Sequence, residues 1–302
     1  MSGRTAFILN ARAGGGFDAG WLETHRAAVD AIAAGGPVTL VSNGAELATA
    51  VQHALDSQCT SVVAGGGDGT LNSVASRLVG TKTQFGVLPM GTLNHFARDL
   101  GIPTEPEGAL KVIAEGHAID VDVGEVNGAF FLNNSGLGLY PDIVRDRKRQ
   151  QNRLGRGKWL AFAWAVWGAL RRFPFLTARL TLNGESILQR TPFVFVGNNA
   201  YEMQGFQIGT RARLDKGVLS IYVAHNPSRL GLVLLGLRAL FGRLRQASEF
   251  HAYVVREARV DTPRRRLRVS TDGEIQEMAP PFLYRVHAGA LRVLVPAKGA
   301  GR

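Results

Sequence analysis

Residues 61–72 read Ser-Val-Val-Ala-Gly-Gly-Gly-Asp-Gly-Thr-Leu-Asn. Residues 61–64 suit a short buried strand, and residues 71–79 suit a helix that stops at Gly80. The glycines between them turn the chain from one into the other. A strand that passes through a tight turn into a helix is half of a βαβ unit, and the flanking sequence repeats the alternation. Upstream, residues 5–10 and 38–41 read as strands. Residues 21–34 and 45–55 read as helices, the first stopped by Gly35-Gly36-Pro37. Downstream, residues 85–88 form the next strand and residues 93–100 the next helix. Thr104-x-x-Glu107 then has the capping-box spacing of a further helix, which ends at Gly116. The pattern predicts a mainly parallel sheet, and ligands on such sheets bind at the carboxyl ends of the strands.

The glycine loop carries chemistry as well as topology. Glycines let the backbone approach a bulky anion with no Cβ in the way. The free N–H groups at the start of the following helix favour phosphate. Asp68 repels phosphate unless a cation lies between them, which points to Mg²⁺ held against a polyphosphate. The loop is not a P-loop, because no Gly-Lys-Ser/Thr follows, and it is not the GxGxxG dinucleotide fingerprint. A plain strand-to-helix turn needs fewer glycines than this one has. The stretch Leu88-Pro89-Met90-Gly91-Thr92-Leu93-Asn94 leaves the next strand at the same edge, with Thr92 as the expected N-cap.

The grammar changes near Ala118. Strands at 120–126 and 129–134 flank Asn127-Gly128, and strands at 177–182 and 186–190 flank Asn183-Gly184, both favourable hairpin turns. Further strands are expected at 193–197, 219–223, 251–260, 267–270, 282–287 and 291–295. Asp272-Gly273 reads as one more hairpin turn. This is antiparallel territory and predicts a β-sandwich. The expected division is an α/β nucleotide-binding domain at 1–119, completed by residues 288–302, and a sandwich domain at 120–287.

Composition bounds the function. Of 302 residues, 45% are hydrophobic and 20% charged, which excludes disorder for most of the chain. Cys59 is the single cysteine, so no intrachain disulfide and no multi-cysteine metal site can form. The 35 Lys and Arg against 24 Asp and Glu give a net charge of +11. Residues 1–142 hold 7 basic and 14 acidic side chains, and residues 143–302 hold 28 and 10. Much of the basic surplus surrounds two apolar runs, 159–170 and 230–241, each shorter than the roughly 20 residues that span a bilayer. Arg147, Lys148 and Arg149 precede a run with three tryptophans and suit an anionic lipid surface. Helices packed on the sandwich are the other reading of both runs. The seven histidines show no ligand spacing.

Four segments occur in one order: GGGDGTLN at 65–72, LPMGTLNHFARDLGIP at 88–103, NNSGLG at 133–138 and DGE at 272–274. Together they resemble the diacylglycerol kinase catalytic-domain family of lipid kinases, over nearly the whole chain. The resemblance implies an N-terminal domain of the NAD-kinase and phosphofructokinase kind, followed by an antiparallel β-sandwich. It implies ATP and Mg²⁺ as cofactors. ATP would meet Asn10, Ser42, Gly66, Gly67, Asp68, Gly69, Thr70, Leu71, Asn72 and Thr92. Asn10 is retained from an NPxSG-type motif, but Ala11 and Ala13 replace its Pro and Ser. Asp122 matches a position of the metal network around Asp68. Glu274 would take the proton of the acceptor hydroxyl, with Asp272 as alternative base or network member. At a second, structural metal site, Lys216 replaces the usual Asp, which leaves Asp215 as the substitute ligand. The implied partners are a membrane lipid as substrate, an anionic membrane surface and a second copy in a homodimer; no nucleic acid is expected. The implied location is cytoplasmic, peripheral to the inner face of the membrane. Two alternatives stay open: a kinase of a soluble alcohol such as NAD, and an inactive membrane or nucleic-acid binder.

Overall fold

The computed structural model describes residues 3–13, 19–138, 175–204, 207–211, 213–224 and 250–297. The basic stretch around Arg147, Lys148 and Arg149 and the apolar runs 159–170 and 230–241 lie outside the described residues. Among those described, no helix is long and apolar enough to cross a membrane.

The chain divides into two compact units. The first comprises residues 1–123, 213–217 and 287–302, and the second residues 124–212 and 218–286. The sequence-based boundary at 119/120 falls inside a strand that runs unbroken to Val126.

The first unit alternates β1 (Thr5–Asn10), α1 (Ala19–Ala33), β2 (Val38–Val41), α2 (Gly44–Asp56), β3 (Ser61–Gly66), α3 (Asp68–Leu78), β4 (Gln84–Pro89), α4 (His95–Asp99) and α5 (Pro106–Glu115). The strands lie side by side in the order β2-β1-β3-β4, all parallel. Every residue of β3 is buried, as a strand covered on both faces requires. Helix α3 presents Leu71, Val74, Ala75 and Leu78 to the interior, the i, i+3, i+4, i+7 stripe of an amphipathic helix. Helix α2 is capped by Asn43, whose Oδ1 accepts the N–H groups of Ala45 and Glu46. Helix α5 differs from the capping-box expectation. Its N-cap is Glu105, with no side-chain cap bond, and Pro106 supplies the preset φ of its first turn.

The second unit is built from β5 (Ala118–Val126), β6 (Ala129–Phe131), β7 (Asn134–Gly138), β8 (Leu176–Leu182), β9 (Glu185–Thr191), β10 (Phe193–Asn198), β11 (Glu202–Gln204), β12 (Gln207–Thr210), β13 (Leu219–Ala224), β14 (Phe250–Val255), β15 (Glu257–Asp261), β16 (Leu267–Thr271), β17 (Glu274–Met278) and β18 (Phe282–Leu294). One antiparallel sheet runs β14-β13-β10-β7-β16-β17. The other contains β18-β15-β8-β9. Leu137, Val194, Val196, Ile221 and Val269 of the first sheet share one core with Ala178, Leu180, Val260, Phe282 and Tyr284 of the second. This is the sandwich expected from the alternating pattern. The Asn-Gly turns hold: Asn127 and Gly128 have φ of 47° and 86°, and Asn183 and Gly184 have 51° and 89°.

Several strands differ from the sequence reading: the expected strand at 129–134 ends at Phe131, and β7, β11 and β12 are additional. The single strand at 251–260 is two, because the chain leaves one sheet after Val255 and joins the other at Glu257. The strands at 282–287 and 291–295 are one, β18, which passes Gly289 at a φ of 59° without a turn. Strand β17 was not anticipated, because Glu-Ile-Gln-Glu-Met lacks both a β-rich composition and a buried face. Strands β5 and β18 each contribute residues to both units. The last residues of β18 add a further parallel partner to β4, with Val293 opposite Phe85.

Candidate active site

In the first unit, β1 pairs with both β2 and β3, so the order of connection reverses at β1. Parallel sheets bind ligands beyond the carboxyl ends of their strands at such a point. The registers Asn10 opposite Val41, Leu9 opposite Gly65, and Gly66 opposite Pro89 bring four strand ends to one edge. The nucleotide candidates Asn10, Ser42 and 66–72 therefore share that edge, as does the loop holding Thr92. Asn10 Nδ2 donates to Thr70 Oγ1 at 2.9 Å, which ties the end of β1 to the glycine loop. Its Oδ1 accepts the Arg12 N–H, also at 2.9 Å.

Two glycine loops touch here. Met90 N–H donates to Gly66 O at 2.9 Å. A Cβ on Gly66 would stand 2.6 Å from Thr70 Cβ. A Cβ on Gly91 would stand 2.7 Å from Asn94 Oδ1 and 2.9 Å from Gly67 Cα. The loops can pack this closely only while both positions lack side chains. Gly91→Ala is expected to cost about 1–3 kcal/mol, the range for forced overpacking. Thermal denaturation checks this, and the KM for ATP should rise with it.

Helix α3 starts three residues earlier than its apolar stripe indicates, so Asp68 is its first residue and Gly67 its N-cap. Burial pushes the Asp68 carboxyl up, while the charge of His95 and the backbone N–H groups of Phe96, His95 and Asn94 pull it down. Asp68 Oδ1 is buried and has no hydrogen-bond partner among the described residues. A buried carboxylate oxygen without a partner is costly. A divalent cation or its water would fit that oxygen, a single hard donor of the kind Mg²⁺ takes. Thr92 is exposed and is not the N-cap of α4. That position belongs to Asn94, at a φ of 49°, whose Oδ1 accepts the Gly91 N–H at 2.8 Å.

The other two metal candidates have partners of their own. Asp122 is buried, and its Oδ2 accepts the Gly217 N–H at 2.6 Å and its Oδ1 the Gly289 N–H at 2.9 Å. Asp122 N–H donates to Leu214 O at 2.7 Å. Asp122 thus pins residues 213–217 and the middle of β18 to β5. Asp215 is exposed and held by both nitrogens of the Arg213 fork, at 2.8 and 2.7 Å. Among the described residues, no three His, Cys, Asp or Glu side chains come together as a metal-binding group. Asp122→Asn should lower stability by about 1–3 kcal/mol, because its amide NH₂ would face a backbone N–H. A denaturant titration measures the loss.

In the second unit, Asp272 and Gly273 have φ of 48° and 82°, so the hairpin reading of Asp272-Gly273 holds. Asp272 does more than turn. Its Oδ2 accepts the Leu132 N–H at 2.7 Å, and its Oδ1 accepts those of Asn133 at 2.8 Å and Asn134 at 3.0 Å. Burial pushes this carboxyl up to about 6, against the pull of those three N–H groups and of Arg211. Three of its acceptor positions are occupied by backbone. Glu274 is exposed at the start of β17, opposite Thr271, and its carboxylate has no side-chain partner among the described residues. Of the two acids in the turn, Glu274 is the one with a free carboxylate.

Sequence reasoning missed Asn43, Asn94 and Arg211. Asn43 carried a readable sign, an Asn with Glu46 three residues on. Arg211 carried none.

Residues 4–126 match the diacylglycerol kinase catalytic domain, and residues 142–295 match the YegS C-terminal NAD kinase beta sandwich-like domain. A Pseudomonas aeruginosa protein named "Probable lipid kinase YegS-like" is 31% identical over 258 residues, 82% of this chain and 80% of its own length. The chain belongs to the diacylglycerol kinase catalytic-domain family. A diacylglycerol kinase of Staphylococcus epidermidis is 28% identical over 190 residues, 61% of this kinase and 58% of that protein. A diacylglycerol kinase structure from Bacillus anthracis superposes with a TM-score of 0.71 at 19% identity, covering 98% of each chain. Yeast NADH kinase, solved with NADH, superposes with a TM-score of 0.55 at 12% identity over 98% of this kinase and 84% of that chain. Both likenesses concern the fold, which is the α/β unit plus sandwich expected from the sequence.

Proposed function

We propose that this kinase transfers the γ-phosphoryl group of ATP to a hydroxyl of a membrane lipid of the diacylglycerol type, giving a lipid phosphate and ADP. The observation that carries the reading is the buried, unpartnered Asp68 Oδ1 at the mouth of the two glycine loops. It supplies a cation anchor where the free N–H groups favour phosphate. The names of the relatives supply the lipid as acceptor. Asp68 would hold Mg²⁺, which neutralises charge on the phosphates when bound. Residues 66–72 would receive the phosphates, with Asn10 holding Thr70 in place. Glu274 would take the proton of the lipid hydroxyl as that oxygen bonds to the γ-phosphorus and the bond to ADP breaks. Asp272 would orient the turn that carries Glu274. Lys216 cannot bind a cation and Asp215 is taken by Arg213, so Asp122 would hold the 213–217 segment without a second metal.

A lipid acceptor places the enzyme at a membrane surface, and ATP places it on the cytoplasmic side. The test is transfer of label from [γ-³²P]ATP into vesicles of anionic phospholipid containing diacylglycerol. Labelled lipid extracted into organic solvent is the expected result. Label recovered only in a water-soluble product, with NAD as acceptor and no need for vesicles, would overturn the lipid reading.

A further inference from the structure

The loop between β6 and β7 is gripped from two sides. On one side, the Asp272 carboxylate accepts the N–H groups of residues 132–134. Asp272 also returns its own N–H to Asn134 O at 2.9 Å. On the other side stands Arg211, only 3% exposed. Its Nη1 donates to Leu132 O at 2.6 Å and to Asn198 O at 3.1 Å, and its Nη2 donates to Asn133 Oδ1 at 2.6 Å. Asn198 bonds the same loop, through its N–H to Asn133 O and its Nδ2 to Leu132 O, both at 2.9 Å. The guanidinium also lies 5.5 Å from the centre of the Tyr201 ring.

A guanidinium keeps its charge when buried, and a dry site tolerates it only when its N–H groups are well bonded. Here those bonds are spent on Leu132 O and the Asn133 side chain of the loop and on Asn198 O of β10, while Asp272 takes the N–H groups of residues 132–134. The two opposite charges bracket one loop. The turn that Asp272 opens carries Glu274 two residues later. The Glu274 carboxylate has no partner of its own among the described residues, so its position comes from the turn. We infer that Arg211 is a positioning residue for Glu274: it fixes the loop onto which the Asp272-Gly273 turn is docked. The inference rests on Glu274 being the base, as proposed above.

The test compares Arg211→Met and Arg211→Lys in the labelled-ATP assay, at a temperature well below the Tm of each variant. A base displaced by about 1 Å costs on the order of 100-fold in turnover. The expected result for Arg211→Met is therefore a kcat lowered about 10- to 100-fold. The KM for ATP stays within about twofold, because the nucleotide candidates belong to the other unit. Arg211→Lys, which keeps the charge and loses the fork, should fall between. It carries the test if the Met variant does not fold. In a Glu274→Gln background, adding Arg211→Met should cost less than about threefold more, because the positioned group is gone. Wild-type kcat in a folded variant, a loss expressed as a raised KM for ATP, or fully multiplying losses in the Gln background would overturn the inference alone. Wild-type turnover by Glu274→Gln itself would overturn the base assignment, and the inference with it.

Discussion

Asp68→Asn is expected to lower turnover by about 10³-fold while the protein stays folded. Removing one group that stabilises charge in a transition state costs on the order of 10²–10³ in kcat. Asp68 stands at the upper end, because both its cation and the phosphates beyond depend on it. The substitution is nearly isosteric. Burial already pushes the Asp68 carboxyl up, so the folded chain holds the charged form at a cost. Removing that charge should leave the Tm unchanged or higher. The paired measurement is kcat from the labelled-ATP assay and Tm from thermal denaturation. Undiminished turnover would show that Asp68 anchors nothing. A large fall in Tm would show that the unpartnered oxygen is a structural acceptor.

The second large effect is Glu274→Gln. A general base contributes about 10²–10⁴-fold, and turnover should fall by that range. Stability should hardly move, because Glu274 is exposed and its side chain has no partner among the described residues. Surface substitutions of this kind usually stay within about 0.5 kcal/mol. The neighbouring Asp272→Asn should behave in the opposite way. It breaks up a set of three backbone hydrogen bonds, so it should lower the Tm clearly. A swapped result, with Asp272→Asn stable but inactive and Glu274→Gln unfolded, would exchange the two roles.

The sequence showed the shared edge of the strand ends well because its signals are local. Glycine runs, short apolar strands and amphipathic helices each fit within about a dozen residues, and a parallel sheet brings consecutive loops to one edge without further information. It showed Asp272 only as a turn. Turn chemistry is local, whereas the three N–H groups that occupy its carboxylate come from residues 138 to 140 positions away. Thr92 as N-cap failed because a residue of left-handed φ, Asn94, intervenes before α4 and takes the capping position. Arg211 was invisible for the same reason as the partners of Asp272. Its acceptors lie far off in sequence, at 132 and 133 in the β6–β7 loop and at 198 on β10, and nothing in its own neighbourhood shows whether an Arg is buried. The replacements at Ala11, Ala13 and Lys216 implied by the resemblance were legible, but the bond that holds the 213–217 segment was not. Asp122 reaches Gly217 across 95 residues.

The way β5 and β18 serve both units bears on protein engineering. A chimaera that exchanged the second unit of this kinase for that of a relative could not be made by one splice in a linker. The donor piece would consist of residues 124–212 and 218–286, and so would need four junctions. Two of these, at 123/124 and 286/287, would cut strands in mid-ladder. The recipient would have to keep residues 213–217 as a five-residue island held by Asp122. Recombination between homologues is expected to yield active hybrids only when all four joints are matched in register, so acceptor specificity in such a scaffold should diversify by point substitution more readily than by domain shuffling.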